Sequence, residues 1–112
     1  MHDQTYVRLK HMLDASRAAM GHLAGKRRED LDTNRTILSA VVRELEIVGE
    51  AANSISTAFK KKHSEIPWKQ MIAMRNRLIH AYFDIDHDIV WTTAKDYLPP
   101  LIQQLEQLLE SL

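Results

Sequence analysis

Residues 33–59 read TNRTILSAVVRELEIVGEAANSISTAF, and this stretch decides the fold. Ile37, Leu38, Val41, Val42, Leu45, Val48, Ala52, Ile55 and Phe59 recur at three- and four-residue steps, which aligns them on one face of a helix several turns long. Such a continuous apolar stripe predicts the central helix of a bundle. Gly49 interrupts it at a propensity cost of about 1 kcal/mol relative to Ala, a cost most easily recovered where a second helix passes close by. A close helix crossing is therefore expected at Gly49.

The neighbouring segments repeat the pattern. From Asp3 to about Leu23, the residues Val7, Leu9, Met12, Leu13, Ala15, Ala19, Met20 and Leu23 trace an amphipathic helix. Gly25 followed by Lys26, Arg27 and Arg28 is its stop signal, and a turn or short helix should follow through Asp32. Beyond Lys60, Lys61, Lys62 and His63, Pro67 is placed to open a helix over residues 68–83, anchored by Trp68, Met71, Ile72, Ala73, Leu78 and Ile79. Asp84 and Asp86 stand as caps before Ile89, Val90, Trp91 and Ala94, in a helix expected to run towards Tyr97. Pro99 and Pro100 mark a bend, after which Leu101, Ile102, Leu105, Leu108, Leu109 and Leu112 resume helical spacing. No strand pattern or internal repeat competes, so the fold class is all-α: an antiparallel bundle of four to five helices in one domain spanning residues 1–112.

Charge and composition limit the function. Fifteen basic residues balance fifteen acidic ones, so no overall field draws the chain onto nucleic acid or an anionic membrane, and any polyanion site must be local. The absence of cysteine excludes disulfides, thiolate metal sites and a cysteine nucleophile. No run approaches the ~18 apolar residues of a membrane span, and no signal segment opens the chain; a cytoplasmic location is expected.

The polar side of the predicted helix at 68–83 carries Arg75, Asn76, Arg77 and His80. At roughly 100° per residue, Asn76 and His80 share a face one turn apart, whereas Arg75 and His80 diverge by about 140°. Arg75 and His80 can flank a groove with Asn76 between them, and two copies related by a two-fold axis can line one composite cleft. Histidine exchanges a proton near neutrality, and arginine offers a permanent planar fork for phosphate oxygens. The pair therefore suits metal-independent attack of an RNA 2′-hydroxyl on the neighbouring phosphate. From spacing alone, a solvated helix face with Tyr82 packed at its end is the favoured reading, because an Arg and a His on one helix are common.

The segment Met74-Arg75-Asn76-Arg77-Leu78-Ile79-His80-Ala81-Tyr82-Phe83 resembles the signature of the HepT-like branch of the HEPN superfamily, Arg-x4-His-x-Tyr, at Arg75, His80 and Tyr82. Glu46-Ile47-Val48-Gly49-Glu50-Ala51 is similar to the Gly-Glu-Ala segment of that family's long helix, and Ile66-Pro67-Trp68 to its entry into the motif helix. Val90-Trp91 and Leu98-Pro99 continue the likeness, which covers residues from about Asp32 to Leu101. The resemblance implies a HEPN-like helical homodimer acting as a metal-independent endoribonuclease toxin, with Arg75 and His80 catalytic and Asn76 and Arg77 supporting or contacting substrate. It also implies an MNT-type nucleotidyltransferase antitoxin as partner in a type VII toxin–antitoxin system, silencing the toxin by attaching AMP to Tyr82. RNA is the expected substrate, with no cofactor, metal, membrane or DNA. The alternative is a non-catalytic partner subunit of a nucleotidyltransferase that holds nucleotide phosphates through Arg75 and Arg77.

Other candidates have structural explanations. Asp84, Asp86 and Asp88 alternate like a calcium loop, but Ile89 replaces the turn glycine and Lys95 the final glutamate, so capping is the better reading. His2, His11, His22, His63, His80 and His87 include no pair at metal-ligand helical spacing. The Lys60–Lys62 and Lys26–Arg28 runs suit solvated helix ends or an extension of an RNA track. Phe59, Trp68 and Trp91 are assigned to packing rather than base stacking.

Overall fold

The computed structural model describes residues 2–80 and 85–112, with side chains for residues 4–78 and 85–112. Helices α1 (His2–Leu23), α2 (Asp30–Thr33), α3 (Arg35–Ser54), α4 (Thr57–Lys62), α5 (Trp68–His80), α6 (His87–Thr92) and α7 (Leu98–Ser111) follow one another, with a π turn over Thr93–Tyr97 joining α6 to α7. Among the described residues there is no strand, and four long helical runs form an all-α bundle. Short α2 and α4 serve as connections.

Two helices open on side-chain caps, α6 on the expected Asp86 and α3 on Asn34. Asn34 Oδ1 accepts from the Ile37 N–H at 3.1 Å to start α3, and Asp86 Oδ1 accepts from the Ile89 N–H at 3.1 Å to start α6. Gly25 takes the left-handed conformation, φ 72°, that ends α1. Asp84, the other expected cap, lies outside the described residues. The stripe from Ile37 to Phe59 does not form one helix, however. Ile55 and Ser56 are extended, and Ser56 caps the new helix α4 by accepting from the Phe59 N–H at 3.2 Å. A hydroxyl that can bond the backbone locally favours this restart over helix continuation.

Antiparallel packing follows from long-range bonds. Arg8 near the start of α1 donates to the Ser54 carbonyl at the end of α3, at 2.8 Å, while His22 and Glu44 meet at 3.2 Å further along the pair. Arg17 pairs with Glu106, tying α1 to α7. The fully buried Leu9, Met12, Leu23, Val41, Leu45, Val48, Val90, Leu98, Leu101 and Leu105 form the shared core. Val7, assigned to the apolar stripe of α1, is exposed; Ala73 is also exposed, and Met74 takes the buried place on α5. Phe59 packs edge-on to buried Trp68, whose indole Nε1 donates to the His63 carbonyl at 3.0 Å, fixing the corner from which α5 starts.

Pro99 and Pro100 do not end the last helix. Without N–H groups they leave the Lys95 and Asp96 carbonyls with no α-helical donor. The turn ahead of them widens, with the Leu98 N–H bonding to the Thr93 carbonyl, while the backbone stays right-handed helical at Thr92, Tyr97 and Leu98. No helix among the described residues is long and apolar enough to cross a membrane.

Candidate active site on α5

Helix α5 lies antiparallel across α3, and their contact is made at Gly49. A Cβ placed on Gly49 would overlap Arg75 Cβ outright and stand 2.7 Å from Arg75 Cγ and 2.9 Å from the Met71 carbonyl oxygen. The expected crossing is thus present, and it falls on the root of the motif arginine. Arg75 is half-buried as a result. Its Nε is shut off from solvent and has no hydrogen-bond partner among the described residues. A buried donor without an acceptor costs about 1–3 kcal/mol, so this orientation needs either the surrounding packing or an incoming acceptor to support it.

The three motif side chains within the described residues diverge. Arg75 faces α3, while Asn76 and Arg77 are exposed. Arg77 borders a groove of about 770 Å³ between α5 and the α6–α7 run, with Gln70, Met74, Asp88, Ile89 and Tyr97 among its walls. On the other side, a groove of about 570 Å³ between α3 and the end of α5 is bordered by Arg35, Arg43, Glu46, Leu78 and His87. The motif helix therefore forms a ridge between two grooves. Leu78 is buried, as expected of an anchor. His80 ends α5, but its side chain and that of Ile79 lie outside the described residues, as does Tyr82.

A clasp of charges holds the helix that follows the motif. Arg28 bonds Asp32 at 2.9 Å and Asp88 at 2.6 Å, and His87 Nδ1 meets the same Asp32 oxygen at 2.7 Å. These contacts tie α2 to the first turn of α6. The His87 hydrogen bond and then that of Arg28 hold the Asp32 carboxyl below the ordinary carboxylate range, while Asp32 and Asp88 raise the Arg28 guanidinium. Arg28 thus has a structural occupation, unlike exposed Lys26. Sequence spacing signalled only the Arg28–Asp32 pair, four residues apart; the other members are distant along the chain.

The profile of the family described as "Ribonuclease HepT-like" matches residues 12–108, nearly the whole bundle and all of α5. The chain belongs to the HepT-like ribonuclease family. Among similar proteins, "Putative RNase TTE0752" of Caldanaerobacter subterraneus subsp. tengcongensis is 35% identical over 102 residues, covering 91% of each chain. "Probable ribonuclease HepT" of Thermococcus cleftensis is 45% identical over 80 residues, covering 71% of this chain and 73% of that protein. No solved structure matches the chain. The matched range of this HepT-like chain includes both Gly49 and Arg75.

Proposed function

We propose that this HepT-like protein is a metal-independent endoribonuclease of the Arg-x4-His type, with Arg75 and His80 as its catalytic residues. The observation that carries the reading is the seating of Arg75: its stem is wedged on Gly49, and its buried Nε lacks an acceptor among the described residues. A phosphodiester oxygen is an acceptor of the right charge and planar-fork geometry. With its stem fixed against Gly49, the guanidinium needs less reorganisation when charge develops in the transition state.

In the proposed reaction, His80 takes the proton from an RNA 2′-hydroxyl, and the resulting oxygen attacks the adjacent phosphorus. Arg75 neutralises the growing charge on the phosphoryl oxygens. The bond to the 5′ oxygen breaks, leaving a 2′,3′-cyclic phosphate, and the departing oxygen takes up a proton. In a homodimer with both motifs at one cleft, a second His80 would supply that proton. Asn76 orients substrate or His80, and Arg77 contacts a neighbouring phosphate. The protein acts as a toxin over a single domain of residues 1–112, in the cytoplasm, restrained by an MNT-type nucleotidyltransferase antitoxin that attaches AMP to Tyr82. The added phosphate charge repels RNA from the cleft.

Purified protein should cleave single-stranded RNA in the presence of chelator, and His80→Ala should be inactive while retaining the parent's oligomeric state. Intact RNA together with stoichiometric nucleotide binding would overturn the catalytic reading in favour of a non-catalytic transferase subunit. For Tyr82, incubation with the cognate transferase and ATP should add AMP mass that is lost in Tyr82→Phe.

A further inference from the structure

The corner between α4 and α5 gathers positive charge from both helices. Lys60 and Lys61 on α4 and Lys69 on α5 border one groove of about 640 Å³, whose walls also include Pro67 and Ile72. Among the described residues none of these lysines has an ion-pair partner. The acidic residue at the groove, Glu65, lies 3.8 Å from His63. In a chain whose charges balance overall, three cations against one carboxylate make this a local positive site. The end of α4 accounts for lysines at a helix terminus, but not for the convergence of Lys69 from a different helix onto the same groove.

Lys69 also has a defined relation to the motif. On α5 it and Asn76 are both exposed. Seven α-helical steps bring them to within about 20° of the same direction, roughly 10 Å apart along the axis. A strip of helix surface thus leads from the lysine groove to the motif. We infer that the groove bordered by Lys60, Lys61 and Lys69 is a phosphate-binding extension of the active site, which holds single-stranded RNA beyond the scissile bond. This inference rests on the ribonuclease reading for its ligand. A linear polyanion lying along the strip meets cations at the far end of α5 and the Asn76 amide near the motif. These phosphate contacts position the strand without selecting its bases.

The test is the salt dependence of binding, read by fluorescence anisotropy with a labelled single-stranded oligouridylate in a His80→Ala parent, so that no strand is cut. Replacing Lys60, Lys61 and Lys69 by Gln should lower the slope of log affinity against log salt by about 2, at ~0.7 per phosphate contact on a single strand. Between about 50 and 200 mM salt, the parent should therefore lose roughly 20-fold more affinity than the triple variant. A control that removes equal charge at Lys10, Lys26 and Arg27 should keep the parent slope. An unchanged slope in the groove variant, an equal fall in the control, or no RNA binding by the parent overturns the assignment. Because binding is measured without cleavage, an inactive wild type with a groove-dependent slope would refute only the catalytic reading. An active wild type with an unchanged slope would refute only the groove.

Discussion

Replacing Gly49 by Ala tests the helix crossing directly. In an isolated helix this change is favourable by about 1 kcal/mol. Here the new methyl would overlap Arg75 Cβ and lie 2.7 Å from Arg75 Cγ and 2.9 Å from the Met71 carbonyl oxygen, against about 3.5–4.0 Å for comfortable carbon contacts. Those atoms are the root of a side chain and a backbone carbonyl, so no rotamer change at a flexible tip relieves the clash; α3 and α5 must separate. Overpacking of this kind costs typically about 1–3 kcal/mol, with backbone contacts at the upper end, which leaves a net destabilisation of roughly 1–2 kcal/mol. Thermal unfolding should show Tm lower by about 5–15 °C for a domain of this size. RNA cleavage should fall further than stability does, because the displaced residue is the proposed charge stabiliser. Gly21→Ala is the matched control: nothing lies within 4 Å of its new methyl, so it should gain about 0.5–1 kcal/mol. If Gly49→Ala raises Tm as Gly21→Ala does and leaves cleavage intact, the close seating of Arg75 is refuted.

Arg75→Met keeps an unbranched stem against Gly49 but removes the guanidinium, including the unpartnered buried Nε; the unfolding free energy should stay within about 1 kcal/mol of the parent while cleavage is lost. Retained cleavage would remove Arg75 from the mechanism. Ser16 Oγ is buried without a partner among the described residues, so Ser16→Ala should stabilise by about 1 kcal/mol, read as a rise of several degrees in Tm. Asp32 has a depressed folded-state pKa through His87 and then Arg28, so the folded chain binds this proton less readily than the unfolded one. Its stabilising contribution is present above the unfolded value, about 3.9, and is lost as pH falls through the folded value. Asp32→Asn should therefore lower Tm at neutral pH and flatten the decline of Tm below about pH 4; an unaltered acid limb would exclude the clasp as its source.

Local chemistry explains what was legible from residues alone. Asp86, Gly25 and Pro67 mark helix boundaries because each acts on backbone within a few residues of itself. The break at Ile55–Ser56 was hidden because Ile55 and Phe59 stay apolar across it, and periodicity records burial rather than backbone continuity. The double proline was equally ambiguous, since it excludes two N–H donors but does not dictate whether the chain bends or widens into a π turn. At the site, Gly49 announced a close approach without naming what approaches. That partner, Arg75, depends on the register between two helices, as the Arg28–Asp88 and His87–Asp32 contacts depend on tertiary placement.

The π turn before the prolines makes the last helical run one residue longer than its faces require. Counted as uninterrupted α-helix, Tyr97 would point within about 20° of Val90, towards the centre of the bundle. Val90 is fully buried and Tyr97 is 59% exposed, so the wider turn carries the difference. The leucines beyond it, Leu98, Leu101 and Leu105, still return fully to the core. The turn thus acts as an absorbed insertion: apolar faces stay aligned upstream and downstream, and the surplus emerges as a phenol ring on the groove wall opposite Arg77. Length variation in this run can thereby be accommodated as groove shape, leaving the bundle's packing order untouched.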